Sequence, residues 1–476
     1  MPPRRTKIVA TIGPASRDPE TIAALVTAGV DVFRVNCSHA SPEAIREAVA
    51  RVRRAARAAD RAIAILLDLQ GPKIRVGKVL APIALVTGST LTVVMDEDLV
   101  GEGHRVGTTY TGMAGDVHVG DRVLFADGAL SGRVSEVRDQ LVPAEVDIVI
   151  EEGGELGSNK GINLPGIPLS APSLTEKDLA DLEVGVAAGV DFVAISFVRE
   201  ARDVLRLREE LARLGAREVP VIAKIEKPQA VKNIGEILSV VDGIMVARGD
   251  LGVEVSLERV PVLQKDLIDA ANRAGVLVIT ATQMLDSMER SPHPTRAETT
   301  DVANAIVDGT DAIMLSGETA AGKYPVRAVE VMDRIAREME SSRWMRTRLD
   351  EVSVLAGPSQ TVVRSACWAV QELPRPLVVF TWSGSTAIIA SKSRPPGPIF
   401  ALTPNQATFD RLALAWGVTP LMAPAVRNTD DLIAIGEERL LERGLVTRGQ
   451  EVVVLAGHTP MKGATNTMKV YAVGTT

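Results

Sequence analysis

Eight short apolar runs, at residues 7–12, 31–36, 62–69, 191–196, 220–226, 243–248, 276–282 and 311–316, punctuate the first 341 residues. Most are followed by a segment of helical periodicity, as at Thr21–Ala28, Pro42–Ala59, Glu176–Ala188 and Leu257–Ala274. Strand followed by helix, repeated around eight strands, predicts a parallel (β/α)8 TIM barrel whose chemistry collects at the C-terminal strand ends. The polar residues fall at that end: Arg34, Asn36 and Ser38; Asp68; Ser196; Lys224 and Glu226; Asp250; Thr282; Ser316 and Glu318. Polar groups serving structure alone would have no reason to share the same end of seven of the eight runs.

The spacing breaks between the third and fourth runs, where roughly a hundred residues replace a single crossover helix. Within that gap Ile83–Met95, Arg122–Leu130 and Ala144–Glu151 alternate apolar and polar positions among many glycines, as a β-rich domain does. Residues 73–168 are therefore expected to form a β-rich lid inserted after the third barrel strand, leaving 1–72 and 169–341 for the barrel. Beyond the polar stretch Ser341–Gln360 the pattern restarts. Strands are expected at Leu377–Thr381, Ile399–Thr403, Thr419–Met422, Glu451–Ala456 and Lys469–Val473, with helices at Thr361–Leu373, Ala407–Trp416 and Asp430–Arg443. Residues 342–476 thus read as a separate α/β domain.

Composition narrows the function classes. The 476 residues are 46% hydrophobic and 24% charged, ordinary for a globular protein, and 60 acidic against 53 basic residues give a net charge of -7. An acidic chain is a poor nucleic-acid partner, since phosphate binding without sequence preference needs a basic surface. The cations must therefore be read locally. No run is long enough for a membrane span, and two distant cysteines, Cys37 and Cys367, give no disulfide framework and fit a reducing, cytoplasmic setting. Cys37 alternates with Asn36 and Ser38, so it is expected to face away from the strand ends and pack.

The densest chemistry lies at the fifth and sixth runs. In Pro220–Glu226 the alternation sends Lys224 and Glu226 to one side and Val221, Ala223 and Ile225 to the other. Asp250 follows the next apolar run, in an Arg248-Gly-Asp250 stretch read as a turn. Two carboxylates on neighbouring strand ends suit a hard divalent cation whose shell is completed by phosphate and water. A lysine beside them can stabilise charge on a transferring phosphoryl group or an enolate. A salt-bridged barrel end would use the same residue types.

Several stretches, in this order, resemble the pyruvate kinase family: Lys7–Ser16 (KIVATIGPAS), Phe33–His39 (FRVNCSH), Leu67–Arg75 (LDLQGPKIR), Asn159–Gly166 (NKGINLPG), Lys224–Glu226 (KIE), Met245–Gly252 (MVARGDLG), Thr280–Leu285 (TATQML), Pro294–Glu298 (PTRAE) and Met314–Thr319 (MLSGET). The resemblance covers essentially the whole chain. It implies a glycolytic phosphotransferase that moves the phosphoryl group of phosphoenolpyruvate to ADP, giving pyruvate and ATP. It further implies Mg2+ or Mn2+ on Glu226 and Asp250, with Lys224 steadying the phosphoryl group and the enolate oxygen. The backbone N–H groups of Gly249 and Asp250 and the Thr282 hydroxyl would hold the substrate carboxylate, with Ser196 and Arg34 also at the substrate. Thr282 also stands near the enolate carbon, and the final proton donor stays open. Arg34 and Arg75 would clamp phosphate oxygens in bidentate fashion. Arg75, Lys160, Pro14 and His39 would face the nucleotide, and Lys160 would reach it when the lid closes.

One position departs from the family pattern. Asn36, Ser38, Asp68 and the Leu69 carbonyl match the ligands of the activating potassium ion. Lys73, however, stands where many members carry glutamate. The expectation is that the Lys73 ammonium supplies the missing positive charge, so that K+ is not required. In the C-terminal domain Val379–Thr386 (VFTWSGST) reads as strand, polar turn and helix, a junction that can cradle phosphate. By resemblance Thr381, Ser383, Gly384, Ser385 and Thr386 form the phosphate pocket of an allosteric effector, with Lys462–Thr467 as a second wall. Fructose 1,6-bisphosphate, a sugar monophosphate and AMP all remain open. Analogy implies a homotetramer, and no appended phosphotransfer domain is expected. Two other readings share parts of the pattern. A metal-dependent pyruvate-enolate lyase would have no use for Arg75, Lys160 and a lid, and a non-catalytic sugar-phosphate sensor would not need Lys224, Glu226, Asp250 and Thr282.

Overall fold

The computed structural model describes residues 4–345, 358–371, 375–426, 429–457 and 465–475. Eight parallel strands close into a barrel in chain order: Lys7–Ile12, Val32–Asn36, Ala64–Asp68, Phe192–Ile195, Val221–Ile225, Gly243–Ala247, Leu277–Ala281 and Ala312–Leu315. Alternation divides each strand between two cores. Val9, Leu66, Ile222, Met245 and Ile279 fill the interior, while Ile8, Ile65, Val221, Ala223, Ile225 and Ile244 pack outward under the helices. Lys224 shares the inward parity of Ile222. One residue of slip would have sent it into the apolar outer layer, so burial of the flanking residues fixes where its charge emerges. Cys37 is fully buried in the outer layer, as expected, and burial pushes its thiol pKa up.

Helix starts are locally encoded. Asp18 accepts the Thr21 N–H ahead of helix Pro19–Ala28, and reciprocal capping boxes open Glu176–Ala188 (Thr175 with Asp178) and Arg296–Asp308 (Thr295 with Glu298). The stretch Arg248-Gly-Asp250, read above as a turn, is instead the start of a helix, Arg248–Glu254. It carries Gly249 and Asp250 in its first turn, so Asp250 is placed by a short helix rather than by a free loop.

The segment after the third strand forms a six-stranded and a two-stranded sheet around an apolar core of its own that includes Val93, Phe125, Val146 and Ile148. Its two connections to the barrel are zipped together: Val76 N–H donates to the Lys160 carbonyl (2.8 Å) and Ile162 N–H to the Ile74 carbonyl (2.9 Å). The run Ile83–Met95 splits at Gly88, whose φ of +87° makes a turn, into Ile83–Leu85 and Thr90–Val94 in different sheets.

The C-terminal residues form a five-stranded sheet in the order Val418–Met422, Ile399–Thr403, Leu377–Phe380, Glu451–Gly457 and Thr465–Ala472. All neighbours are parallel except the last. This domain docks beneath the N-terminal strand ends. The Lys7 ammonium donates to the Val418 carbonyl (2.8 Å), and Lys392 and Arg394 both pair with Asp311 (2.5 and 2.8 Å), which directly precedes the eighth strand.

Candidate active site

At the mouth of the barrel the second to fifth strand ends converge on Lys224. Its ammonium lies 2.8 Å from Glu226 Oε1 and 3.5 Å from Asp68 Oδ1, and donates to Ser196 Oγ at 2.9 Å. Ser196 Oγ in turn donates to the Leu69 carbonyl (2.7 Å). Burial alone would lower the pKa of Lys224, but Asp68, Glu226 and Asp250 outweigh it and push it above the ordinary lysine range. Lys224 is therefore a fixed cation. Arg34 stands beside it, its Nε 2.6 Å from Asp68 Oδ2 and one terminal nitrogen 3.1 Å from Thr11 Oγ1. Asp68 is buried, which would raise its pKa, yet Lys224 and Arg34 hold it below the usual carboxylate value. Its Oδ1 has no hydrogen-bond partner.

Glu226 is 3% exposed and its second oxygen accepts the Phe197 N–H at 2.9 Å. Asp250 opens on the cleft, but partial desolvation there and then the charge of Glu226 push its carboxyl up to about 6. Thr282 holds a left-handed φ of +68°, unusual for a β-branched residue. Its hydroxyl accepts the Gly249 N–H (2.8 Å) and donates to the Ala281 carbonyl (2.7 Å). The N–H expected to hold a substrate carboxylate is thus occupied by Thr282 itself. Arg248 pins this corner, bonding the Ala281 and Thr282 carbonyls and pairing with Asp301 at 2.7 Å.

A cleft of about 450 Å3 opens here between barrel and inserted domain, with Asp68, Gly249 and Thr282 outside its lining. Arg34, Asn36, Ser38, Ser196, Lys224, Glu226 and Asp250 form the barrel side; Lys73 and Arg75 stand at the connection, and Asp127, Asn159 and Lys160 come from the inserted domain. Asn36 Oδ1 accepts the Ser38 N–H (3.1 Å). Burial, followed by the charges of Arg75 and Lys224, lowers Lys73 to about 8. His39 lies exposed at the rim; burial and then Lys73, Arg75 and Arg34 depress its pKa. Pro14 is exposed. Clustered cations around an open, polar cleft are what a polyphosphate needs.

Residues 3–329 match the family described as "Pyruvate kinase, barrel domain", and residues 360–471 match "Pyruvate kinase, alpha/beta domain". The chain belongs to the pyruvate kinase family. Among its relatives, a pyruvate kinase of Geobacillus stearothermophilus is 45% identical over 99% of this chain and 80% of its own length. One of Bacillus licheniformis is 43% identical over 99% of this chain and 81% of its own. A solved pyruvate kinase from Cryptosporidium parvum superposes with a TM-score of 0.92 at 33% identity, covering 99% of this chain and 96% of that one.

A pyruvate kinase takes phosphoenolpyruvate and ADP to pyruvate and ATP with the help of a divalent metal ion. The residues present fit such an ion. Glu226 and Asp250 offer hard oxygen donors, and Asp250 is displaced upward first by desolvation and then by the charge of Glu226, a combination that a bound cation would relieve. Among the described residues no three His, Cys, Asp or Glu side chains gather into a self-sufficient cage. Two carboxylates leave the remaining positions to phosphate and water.

In the C-terminal domain of this pyruvate kinase the helix Ser385–Lys392 begins at Gly384, whose φ is +85° and whose N–H donates to Thr381 Oγ1 (3.0 Å). Ser383 and Ser385 hydroxyls lie 3.2 Å apart, and Thr386 meets Thr465 at 2.6 Å. Lys462 lies outside the described residues. No helix among the described residues is long and apolar enough to cross a membrane. Sequence reading missed the amide of Phe197 as the holder of Glu226, and missed Asp127 and Asn159 on the far wall. Backbone groups leave no residue-type signal, and Asp127 sits at φ +57° in a turn whose position over the cleft is a tertiary fact.

Proposed function

We propose that phosphoryl transfer from phosphoenolpyruvate to ADP takes place at Lys224, Glu226, Asp250, Arg34 and Thr282. The observation that carries this reading is the meeting of Lys224, Glu226 and Asp250 in one cleft that Arg75, at the connection, and Lys160, from the inserted domain, also line. Glu226 and Asp250 hold the divalent ion, Mg2+ or Mn2+, which when bound polarises phosphate and enolate oxygens. Lys224 stabilises negative charge on the transferring phosphoryl group and on the enolate oxygen. Arg34 grips phosphate, Ser196 keeps the Lys224 ammonium aimed, and Thr282, once it releases Gly249, turns to the substrate carboxylate. Arg75, Lys160, Pro14 and His39 face the nucleotide, and closure of the inserted domain excludes water.

Lys73 takes the place of a potassium ion at Asn36, Ser38, Asp68 and the Leu69 carbonyl. Its support is that it lines the cleft, close enough for the charge of Asp250 to act on it. Thr381 and Ser383 to Thr386 receive the phosphate of an allosteric effector, a sugar phosphate or a nucleotide. The enzyme works in the cytoplasm as a homotetramer.

A coupled assay for pyruvate from phosphoenolpyruvate tests the reaction. Release that requires both ADP and a divalent metal is expected. Release that does not need ADP, or none with any metal, would overturn it.

A further inference from the structure

Beside the proposed metal carboxylates lies a second buried ion pair, whose lysine, Lys227, stands on the lining of the same cleft. Lys227 directly follows Glu226, and its ammonium lies 2.6 Å from Glu254 Oε1. The two side chains are only 8% and 2% exposed. Glu254 Oε2 is buried without a hydrogen-bond partner, so the pair carries an uncompensated desolvation cost. A buried ion pair of this kind is a poor source of stability. Its use must be sought in what it holds.

It holds both arms of the carboxylate pair. Glu254 is the last residue of the helix Arg248–Glu254, whose first turn presents Asp250 and whose other end Arg248 fastens to the seventh strand through the Ala281 and Thr282 carbonyls. The same Lys227 ammonium sits 4.9 Å from the centre of the Phe197 ring. Phe197 is held at φ +57°, and its N–H is the donor that orients Glu226. One buried cation therefore ties the helix of Asp250 and the residue that aims Glu226 to the same strand end.

We infer that Lys227 and Glu254 are positioning residues that set the separation and aim of Glu226 and Asp250 toward a divalent cation. The inference rests on the assignment of that cation to Glu226 and Asp250. Groups that orient metal ligands from behind typically govern affinity by about 10–100-fold without touching the ion.

The test is Mn2+ titration of the whole enzyme, without substrate, by electron paramagnetic resonance. The variants are Lys227→Met/Glu254→Gln, which removes both charges together, and Lys227→Arg, which keeps the pair. The double variant should lose about tenfold or more in Mn2+ affinity. It should show a raised KM for metal with kcat restored at saturating Mn2+, and Lys227→Arg should recover most of the affinity. Unchanged Mn2+ affinity in the folded double variant would overturn the inference, as would a fall in kcat that saturating metal does not relieve. Should the double variant not fold, Glu254→Gln alone, which keeps size and an acceptor for Lys227, is judged by the same two criteria. Glu226→Gln separates the two levels: if it leaves Mn2+ binding intact, the metal assignment itself has failed, whatever Lys227 does.

Discussion

At the floor of the barrel the Lys392 ammonium is fully enclosed, 2.5 Å from Asp311 and 3.0 Å from Asn272 Oδ1, while Arg394 takes the other Asp311 oxygen and the Val278 N–H donates to the first. At the mouth Lys224 lies 2.8 Å from Glu226 and 3.5 Å from Asp68, but a cleft of about 450 Å3 opens in front of it. Both ends thus bury a lysine against carboxylates. At the floor every Asp311 oxygen is answered from within the protein, and the group joins two domains. At the mouth Asp68 Oδ1 lacks a hydrogen-bond partner and Asp250 is pushed up to about 6. Saturation marks a clasp, and incomplete satisfaction beside open space marks a site that waits for a ligand.

The comparison breaks most decisively at Lys224. Lys224→Met should cost roughly 10³–10⁵-fold in kcat, the scale of losing a cation from a phosphoryl transition state. Its thermal midpoint should also fall, since the buried Asp68 and Glu226 lose a counter-charge, but by less than at the floor because Asp68 keeps Arg34 and Glu226 keeps the Phe197 N–H. Unfolding with no specific catalytic loss would put Lys224 in the same class as Lys392. The reverse holds at the floor. Asp311→Asn removes the carboxylate that Lys392 and Arg394 share and should cost about 3–5 kcal/mol in denaturant unfolding, with kcat of the folded fraction little changed.

Smaller effects sharpen the mouth. The parent should turn over in potassium-free buffer, whereas Lys73→Glu should come to need potassium, with stimulation of about tenfold or more. Strong stimulation of the parent by potassium chloride would remove Lys73 from that role. Because Lys73 is lowered to about 8 and works as the cation, potassium-free kcat/KM should fall as pH rises through that value. The smallest expected effect concerns Asp250. A carboxyl raised to about 6 is protonated below that pH, so Mn2+ affinity of the free enzyme should drop by up to about tenfold per pH unit under it. Affinity flat from pH 7 to 5 would mean that Asp250 is not a ligand.

The barrel was legible because its strands are buried on both faces and several of its helices open on side-chain caps. Each of the eight runs falls within two residues of its strand, and Lys224 and Glu226 emerge where alternation sends them. Period two failed in the inserted domain at Gly88, where one alternating run crosses between sheets. Alternation reports which face is buried, not whether the chain turns. The site was legible as residue types at strand ends. The Arg248–Glu254 helix was hidden by its two glycines, Gly249 and Gly252, which read locally as a turn. The pairing of Lys227 with Glu254 joins residues 27 apart in sequence with no periodic signal, and Thr282 as the partner of Gly249 was equally unreadable.

Anomalous diffraction from crystals grown with Mn2+ tests the centre most directly. A peak bridging the Glu226 and Asp250 carboxylates, with Lys224 beside it, is expected. Mn2+ bound elsewhere while those two carboxylates stay bare would contradict it.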